Sequence, residues 1–256
     1  MLKVSIVTVS YNSAKTIGDT IRSVLSQDYR NCEYIIVDGG STDSTVDIIR
    51  QYEPMFKGRM RWISEKDNGL YDAMNKGIRM ATGNIVGIIN SDDFFCRSNA
   101  VSIIAGAFED KSVRAVYADV RYVRPGNLNR TVRYYSSGKW KASWFRFGFM
   151  PAHPTFYTYR ENFDKYGYYR TDYRIGADFE LMVRHLHTNR VPSKYIPLDL
   201  LNMRTGGIST SGLKAKWILC REDARACREN GIWTCLPLIF CKFFIKVFEF
   251  VPGKNC

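Results

Sequence analysis

Ile35-Ile36-Val37-Asp38-Gly39-Gly40-Ser41-Thr42-Asp43 is an apolar, β-branched run that ends in a carboxylate, two glycines and a polar turn. Further along, Ile85-Val86-Gly87-Ile88-Ile89-Asn90-Ser91-Asp92-Asp93 repeats the design. Short continuous apolar runs bounded by turn residues are buried strands of a parallel sheet. In open α/β sheets the ligand crevice lies beyond the carboxyl ends of such strands. Two acidic clusters on that rim can divide the work: one accepts hydrogen bonds from a base or ribose, and the other holds a divalent cation against a diphosphate. The pair points to a nucleotide-sugar site.

The segments around these runs fit the same sheet. Lys3 to Ser10 is a buried strand, Tyr11-Asn12-Ser13 a turn, and Ile17, Ile21, Val24 and Leu25 mark a helix within Ala14 to Gln27. A strand at Tyr34 to Val37 is followed by a capped helix at Ser44 to Tyr52. A strand at Arg61 to Ser64, a helix at Leu70 to Ala81 and a strand at Ile85 to Ile89 complete an alternation that implies a parallel sheet with right-handed crossovers. Beyond Asp93 the pattern loosens. The chain there predicts a helix at Ala100 to Phe108, a strand at Ala115 to Tyr122, a hairpin at Arg124 to Ser137, a strand at Thr155 to Tyr159 and a helix at Gly176 to His187. Gly206 to Gly212 is linker-like. It divides a main α/β domain, residues 1–205, from a basic helical extension, residues 206–256.

The formal charge is +12 over 256 residues. Val120 to Arg160 holds eight basic residues and no acidic one, a segment that attracts phosphate or an anionic bilayer, or is simply a solvated basic surface. Nucleic acid is not indicated, because no helix-turn-helix, zinc-finger or RRM signature accompanies the charge. The seven cysteines contain no CxxC pair, and Met1 to Val7 reads as a strand, which favours free thiols in a reducing cytosol. No apolar run is long enough to span a membrane. Ile232 to Val251 reads instead as an aromatic, basic amphipathic helix of the interfacial kind, with Lys242 and Lys246 on its polar face.

Five short motifs in order resemble family 2 glycosyltransferases of the GT-A fold: Val4 to Asn12, Val37 to Asp43, Asp67 to Gly77, Asn90-Ser91-Asp92-Asp93, and Gly176 to Leu181. The resemblance implies a Rossmann-like, mostly parallel sheet flanked by helices. It places Thr8 and Tyr11 against the base, with Asp38 accepting a base N–H. It sets Asp67, Gly69, Asn75 and Lys76 beside ribose and diphosphate. The family's Asp-x-Asp is here Asn90-Ser91-Asp92, so Mn2+ or Mg2+ is assigned to Asp92, and Asp93 supports ribose, metal waters or the loop. Asp178 is the expected general base, although the preceding residue is Ala177 where the family often has an acid. His153 suits either a ligand contact or a structural role.

The activity so implied is metal-dependent, inverting transfer of one hexosyl unit from a nucleotide-diphosphate sugar, UDP by family habit. The acceptor expected is a lipid-linked saccharide in surface polysaccharide or O-antigen synthesis. The Gln-x-x-Arg-Trp motif and multiple spans of processive members are absent from the sequence. The basic tail places the protein peripherally on an anionic membrane, at its cytoplasmic face. Asn90 and Ala177 also motivate a catalytically weak, sugar-nucleotide-binding scaffold. A nucleotidyltransferase is disfavoured, since Thr8 to Lys15 has no glycine- and lysine-rich triphosphate loop.

Overall fold

A computed structural model describes residues 1–206 and 212–246, without the side chains of residues 244–246. Four parallel strands, β1 (Val4–Ser10), β2 (Cys32–Asp38), β3 (Met60–Ser64) and β4 (Ile85–Ile88), form its first half. Every residue of β1, β2 and β4 is buried, as expected of strands covered by helices on both faces. Each fully buried Ile or Val contributes about 1.5–3 kcal/mol. Helix α1 (Ile17–Leu25) turns Ile17, Thr20, Ile21 and Val24 inward, the spacing of one helical face. α2 (Thr45–Tyr52) and α3 (Leu70–Met80) complete the crossovers. A Cβ on Gly77 would stand 2.3 Å from Val7 Cγ1, so only glycine lets α3 lie this close to β1.

The second half of the sheet is mixed. It comprises β5 (Phe94–Phe95), β6 (Ala115–Arg124), β7 (Asn127–Tyr135), β8 (Tyr157–Tyr159) and β9 (Ser193–Arg204). The strand order is β3-β2-β1-β4-β8-β6-β9-β5, with β7 on β6. β8 runs antiparallel to both β4 and β6, while β9 lies parallel to β6. The α/β, GT-A-like class is therefore found, with its parallel character concentrated before residue 90. α4 (Ala100–Ala107) and α5 (Arg160–Tyr166) follow β5 and β8. α6 (Ala177–Met182) continues into a π-helical turn, Val183–Thr188.

The carboxyl-terminal helices α7 (Gly212–Glu229) and α8 (Leu236–Lys246) are packed on this body. Ala226, Cys227 and Ile232 belong to the same buried cluster as Val7, Ile35 and Met74. A boundary at residue 205 thus separates chain segments rather than cores. Lys242, expected on the polar face of an interfacial helix, is buried in an ion pair with Asp223, the two side chains being 3% and 1% exposed. The outer part of the anticipated amphipathic helix, residues 247–251, lies outside the described residues, and so does most of the glycine linker. Among the described residues no helix is long and apolar enough to cross a membrane.

The basic segment is partly consumed by the fold. Arg121 pairs with Asp199, Arg160 with Asp164, and Arg146 stacks 5.1 Å over the Trp233 ring. Arg124, Arg130, Lys139 and Lys141 are exposed.

Candidate active site

The register that sets Ser10 beside Asp38 aligns the ends of β1 and β2. Asp38 is buried at this edge. One carboxylate oxygen accepts from Ser10 Oγ at 3.0 Å and Ser41 Oγ at 2.5 Å, and the other from Ser41 N at 2.9 Å and Ser64 Oγ at 2.7 Å. Four donors fill the carboxylate. Asp38 braces the loop, and a base N–H reaches it only by displacing a serine hydroxyl.

Tyr11 is 65% exposed and offers an open ring face. It and Asp67 flank Gly39: a Cβ there would stand 3.5 Å from the Tyr11 ring and 3.2 Å from Asp67 Oδ2. Asp67 Oδ1 accepts from Lys76 Nζ at 2.5 Å. Oδ2 is buried with no hydrogen-bond partner. An unmet buried acceptor is costly, and this one lies on the side of Gly39 that the Tyr11 ring also borders. Lys76 also meets Glu65 at 2.7 Å, with Asp72 at 3.8 Å. Its hydrogen bonds to Asp67 and Glu65 raise its pKa. Gly69, at φ +109°, turns the chain into α3 in a conformation that favours glycine.

Two expectations are corrected here. Thr8 does not line the base: it is fully buried, and its hydroxyl accepts from Tyr34 Oη at 3.0 Å inside the core. Asn75 does not face phosphate. Its buried carboxamide clamps the Tyr169 backbone, with Nδ2 donating to the carbonyl at 2.8 Å and Oδ1 accepting from the amide at 2.9 Å.

The 90–93 turn is tied to the first loop by Ser13 Oγ and Ser91 Oγ, 2.8 Å apart. Asp93 is buried and accepts from Asn90 Nδ2 at 3.1 Å. The asparagine that replaces the family's first acid therefore steadies its neighbour. Arg204, at the end of β9, donates to the Asp92 carbonyl and pairs with Asp19. Burial raises the Asp92 carboxyl above its usual range. Burial and the Asp92 charge together raise Asp93 well above it. Among the described residues no lysine or arginine side chain pairs with either carboxylate. Arg204 offsets part of this cost at both groups, and two adjacent carboxylates with no direct ion pair suit a hard divalent cation. No third carboxylate, histidine or cysteine forms a cluster with them among the described residues, so diphosphate and water would supply further oxygens.

Asp178 stands in the first turn of α6, half-buried. Burial raises its carboxyl to about 6, against the Phe179 N–H that donates to Oδ1 at 2.8 Å. It is thus poised between acid and base near neutrality. Tyr71, in the first turn of α3, reaches across to this loop. Its hydroxyl donates to the Ile175 carbonyl and accepts from the Ala177 N–H at 3.2 Å. Tyr169 stacks on Tyr71 with centroids 5.9 Å apart, and its hydroxyl lies 2.7 Å from His153 Nε2. Burial lowers His153 to about 4, which keeps its imidazole neutral near neutral pH. Hydrogen bonds tie the Asp38 loop to Asn12 through Ser41, the next residue, Ser13, to Ser91 before Asp92, and Tyr71 of α3 to the Ala177 amide before Asp178.

Residues 5–175 match the model of glycosyl transferase family 2. The chain belongs to that family. Curated relatives include a PGL/p-HBAD biosynthesis glycosyltransferase of Mycobacterium bovis, 26% identical over 81% of this chain and 79% of its own length. The chondroitin synthase of Escherichia coli is 36% identical over 49% of this chain and 18% of its own length. Among solved structures, Staphylococcus aureus TarS superposes with a TM-score of 0.67 at 16% identity, covering 98% of this chain; the chain spans 44% of that protein. A TarS fragment in complex with UDP-GlcNAc gives 0.64 at 15% identity over 97% of this chain and 73% of the fragment. The Pyrobaculum calidifontis mannosyltransferase in complex with GDP-Man and Mn2+ gives 0.61 at 18%, covering 96% of this chain and 80% of its own. These structures share the glycosyltransferase fold.

Three residues of this glycosyltransferase site escape sequence reading. Tyr71 sits in a motif whose acidic and glycine members draw the eye. Arg204 ends a strand that Pro197 disguises. Glu222, on α7, reaches the Asp178 loop from far along the chain.

Proposed function

We propose that this glycosyltransferase moves one sugar, with inversion, from a UDP-sugar to a hydroxyl of a lipid-linked saccharide at an anionic membrane. The observation that supports the reading is the open Tyr11 ring beside the unmet Asp67 carboxylate oxygen; a pair of crowded carboxylates after β4 and a carboxyl of near-neutral pKa in α6 add to it. The Tyr11 face takes the base by stacking, and Asp67 Oδ2 accepts a donor from base or ribose. Asp92, backed by Asp93, would hold Mn2+ or Mg2+, which supplies neutralising charge to the leaving diphosphate. Asp178 accepts the proton of the acceptor hydroxyl as that oxygen attacks the anomeric carbon from the face opposite the diphosphate. Tyr71 keeps that base in register with α3, whose first turn borders the donor.

A thermal-shift panel of UDP, GDP and dTDP, with and without Mn2+, tests the donor site. A nucleotide at a hundred times its Kd stabilises by about 2.7 kcal/mol, or roughly 5–10 °C for a domain of this size. UDP with Mn2+ is expected to give the largest shift. Tyr11→Ala should reduce it at every metal concentration, and Asp92→Asn should remove only the part that needs metal. No shift with any nucleotide in Mn2+ would sink the reading.

The membrane part rests on a different surface. Leu213 and Trp217 are 84% and 48% exposed on α7, among Lys214, Lys216 and Arg221, and Trp233, 70% exposed, follows the other end of that helix under Arg146. Leu213, Lys216, Trp217, Phe240 and Phe243 line one groove between α7 and α8. Exposed aromatics flanked by cations suit an anionic interface. Co-sedimentation with phosphatidylglycerol vesicles is expected, weakened about tenfold or more in Trp217→Ser/Trp233→Ser. Equal binding by wild type and variant would remove this surface from the account.

A further inference from the structure

The loop that carries Asp178 is held by a helix beyond the stretch that matches the family. One carboxylate on α7, Glu222, accepts three consecutive backbone N–H groups: Arg174 at 2.8 Å, Ile175 at 2.9 Å and Gly176 at 2.8 Å. A Cβ on Gly176 would stand 3.1 Å from Glu222 Cβ, so glycine lets α7 approach. The same helix grips the loop upstream. Glu229 pairs with Arg170 at 2.5 Å and accepts from Tyr173 Oη at 2.9 Å, and Arg225 pairs with Asp172 at 2.5 Å. Charge-assisted bonds to backbone amides are among the stronger fixed contacts in a protein. Three on one carboxylate leave the peptides before Asp178 little freedom.

We propose that Glu222 is a positioning residue for the general base, holding the Arg174–Gly176 peptides so that Asp178 faces the acceptor oxygen. The inference rests on Asp178 being that base. Glu222 then acts twice. Its hydrogen bonds aim the base, and its negative charge disfavours ionisation of Asp178 and so keeps it a better proton acceptor. The other groups that face Asp178 are Lys242 of α8, which favours its ionised form, and Tyr71 and Tyr169, whose pKa values burial raises, so that both stay neutral. The Lys242 charge is itself paired with Asp223, and Glu222 adds a negative charge that works against it at Asp178.

The test compares wild type with Glu222→Gln, which keeps size and one acceptor oxygen but loses the charge. The readouts are UDP release from UDP-N-acetylglucosamine with Mn2+ against pH, the carbon-13 titration of the Asp178 carboxyl, and amide exchange at Arg174–Gly176. Expected are a fall in kcat of about tenfold to a hundredfold, an unchanged Kd for UDP, an acid limb and Asp178 titration moved to lower pH, and faster exchange at the three amides. Faster exchange with an unmoved Asp178 titration would reduce Glu222 to a structural brace and overturn the proposal. So would an unchanged kcat. If wild type releases no UDP, the functional reading of Asp178 fails on its own, while the titration and exchange still decide whether Glu222 governs that carboxyl.

Discussion

Asp178→Asn is expected to lower UDP release, and sugar transfer, by about a thousandfold while leaving the thermal shift by UDP and Mn2+ intact. General-base assistance contributes about 10²–10⁴, and asparagine fills the same space without accepting a proton. The wild-type pH profile carries the sign. With Asp178 at about 6, the active, ionised form is lost as pH falls, so kcat should drop about tenfold per unit below that value and level off above it. For stability the direction is opposite to that of a salt-bridged acid. A carboxyl whose pKa is raised on folding weakens the fold above the unfolded value, and the penalty fades as pH falls and the group protonates. A variant that binds UDP and turns over as fast as wild type would remove Asp178 from the chemistry. A wild type that binds but never turns over would favour the scaffold alternative.

Lys242→Met should be the most destabilising of the proposed single changes, by about 3–5 kcal/mol, read as a fall in the urea midpoint at unchanged slope. The methionine fills much the same volume but leaves the Asp223 charge, 1% exposed, without its ammonium. Removing both charges is the control. Asp223→Leu/Lys242→Met is expected to recover most of the loss, because a buried ion pair gains little over a well-packed apolar one. A single variant as stable as wild type would mean that water or another group carries the charge. The double variant also separates stability from catalysis, since Lys242 favours the ionised form of Asp178.

The first ninety residues were legible because each element declared itself twice, by period and by the turn that ended it. β2 and its acidic turn read from the chain as they stand in the fold. β9 did not: Pro197 and the polar residues around it interrupt the apolar signal, yet its parallel pairing with β6 carries the strand through. Motif position located the rim but not the direction of each side chain. Thr8 and Tyr11 lie three residues apart, and one is sealed in the core while the other is open to solvent. Asn75 and Lys76 are neighbours on one helix, and only Lys76 touches the carboxylates of the donor side. Lys242 was misplaced for a related reason. Helical spacing shows which residues share a face, but not that a lone aspartate on the next helix will turn that face inward. Glu222 was invisible because its role exists only once a distant loop has docked.

The reliance of that loop on α7 bears on when the protein becomes competent during its own synthesis. The sheet and both acidic turns precede α7 in the chain and leave the ribosome before it. The peptides before Asp178 must wait for Glu222, and the buried pair behind them waits for Lys242 on α8. The strands and acidic turns of the donor side are therefore synthesised before the helices that fix the Asp178 loop.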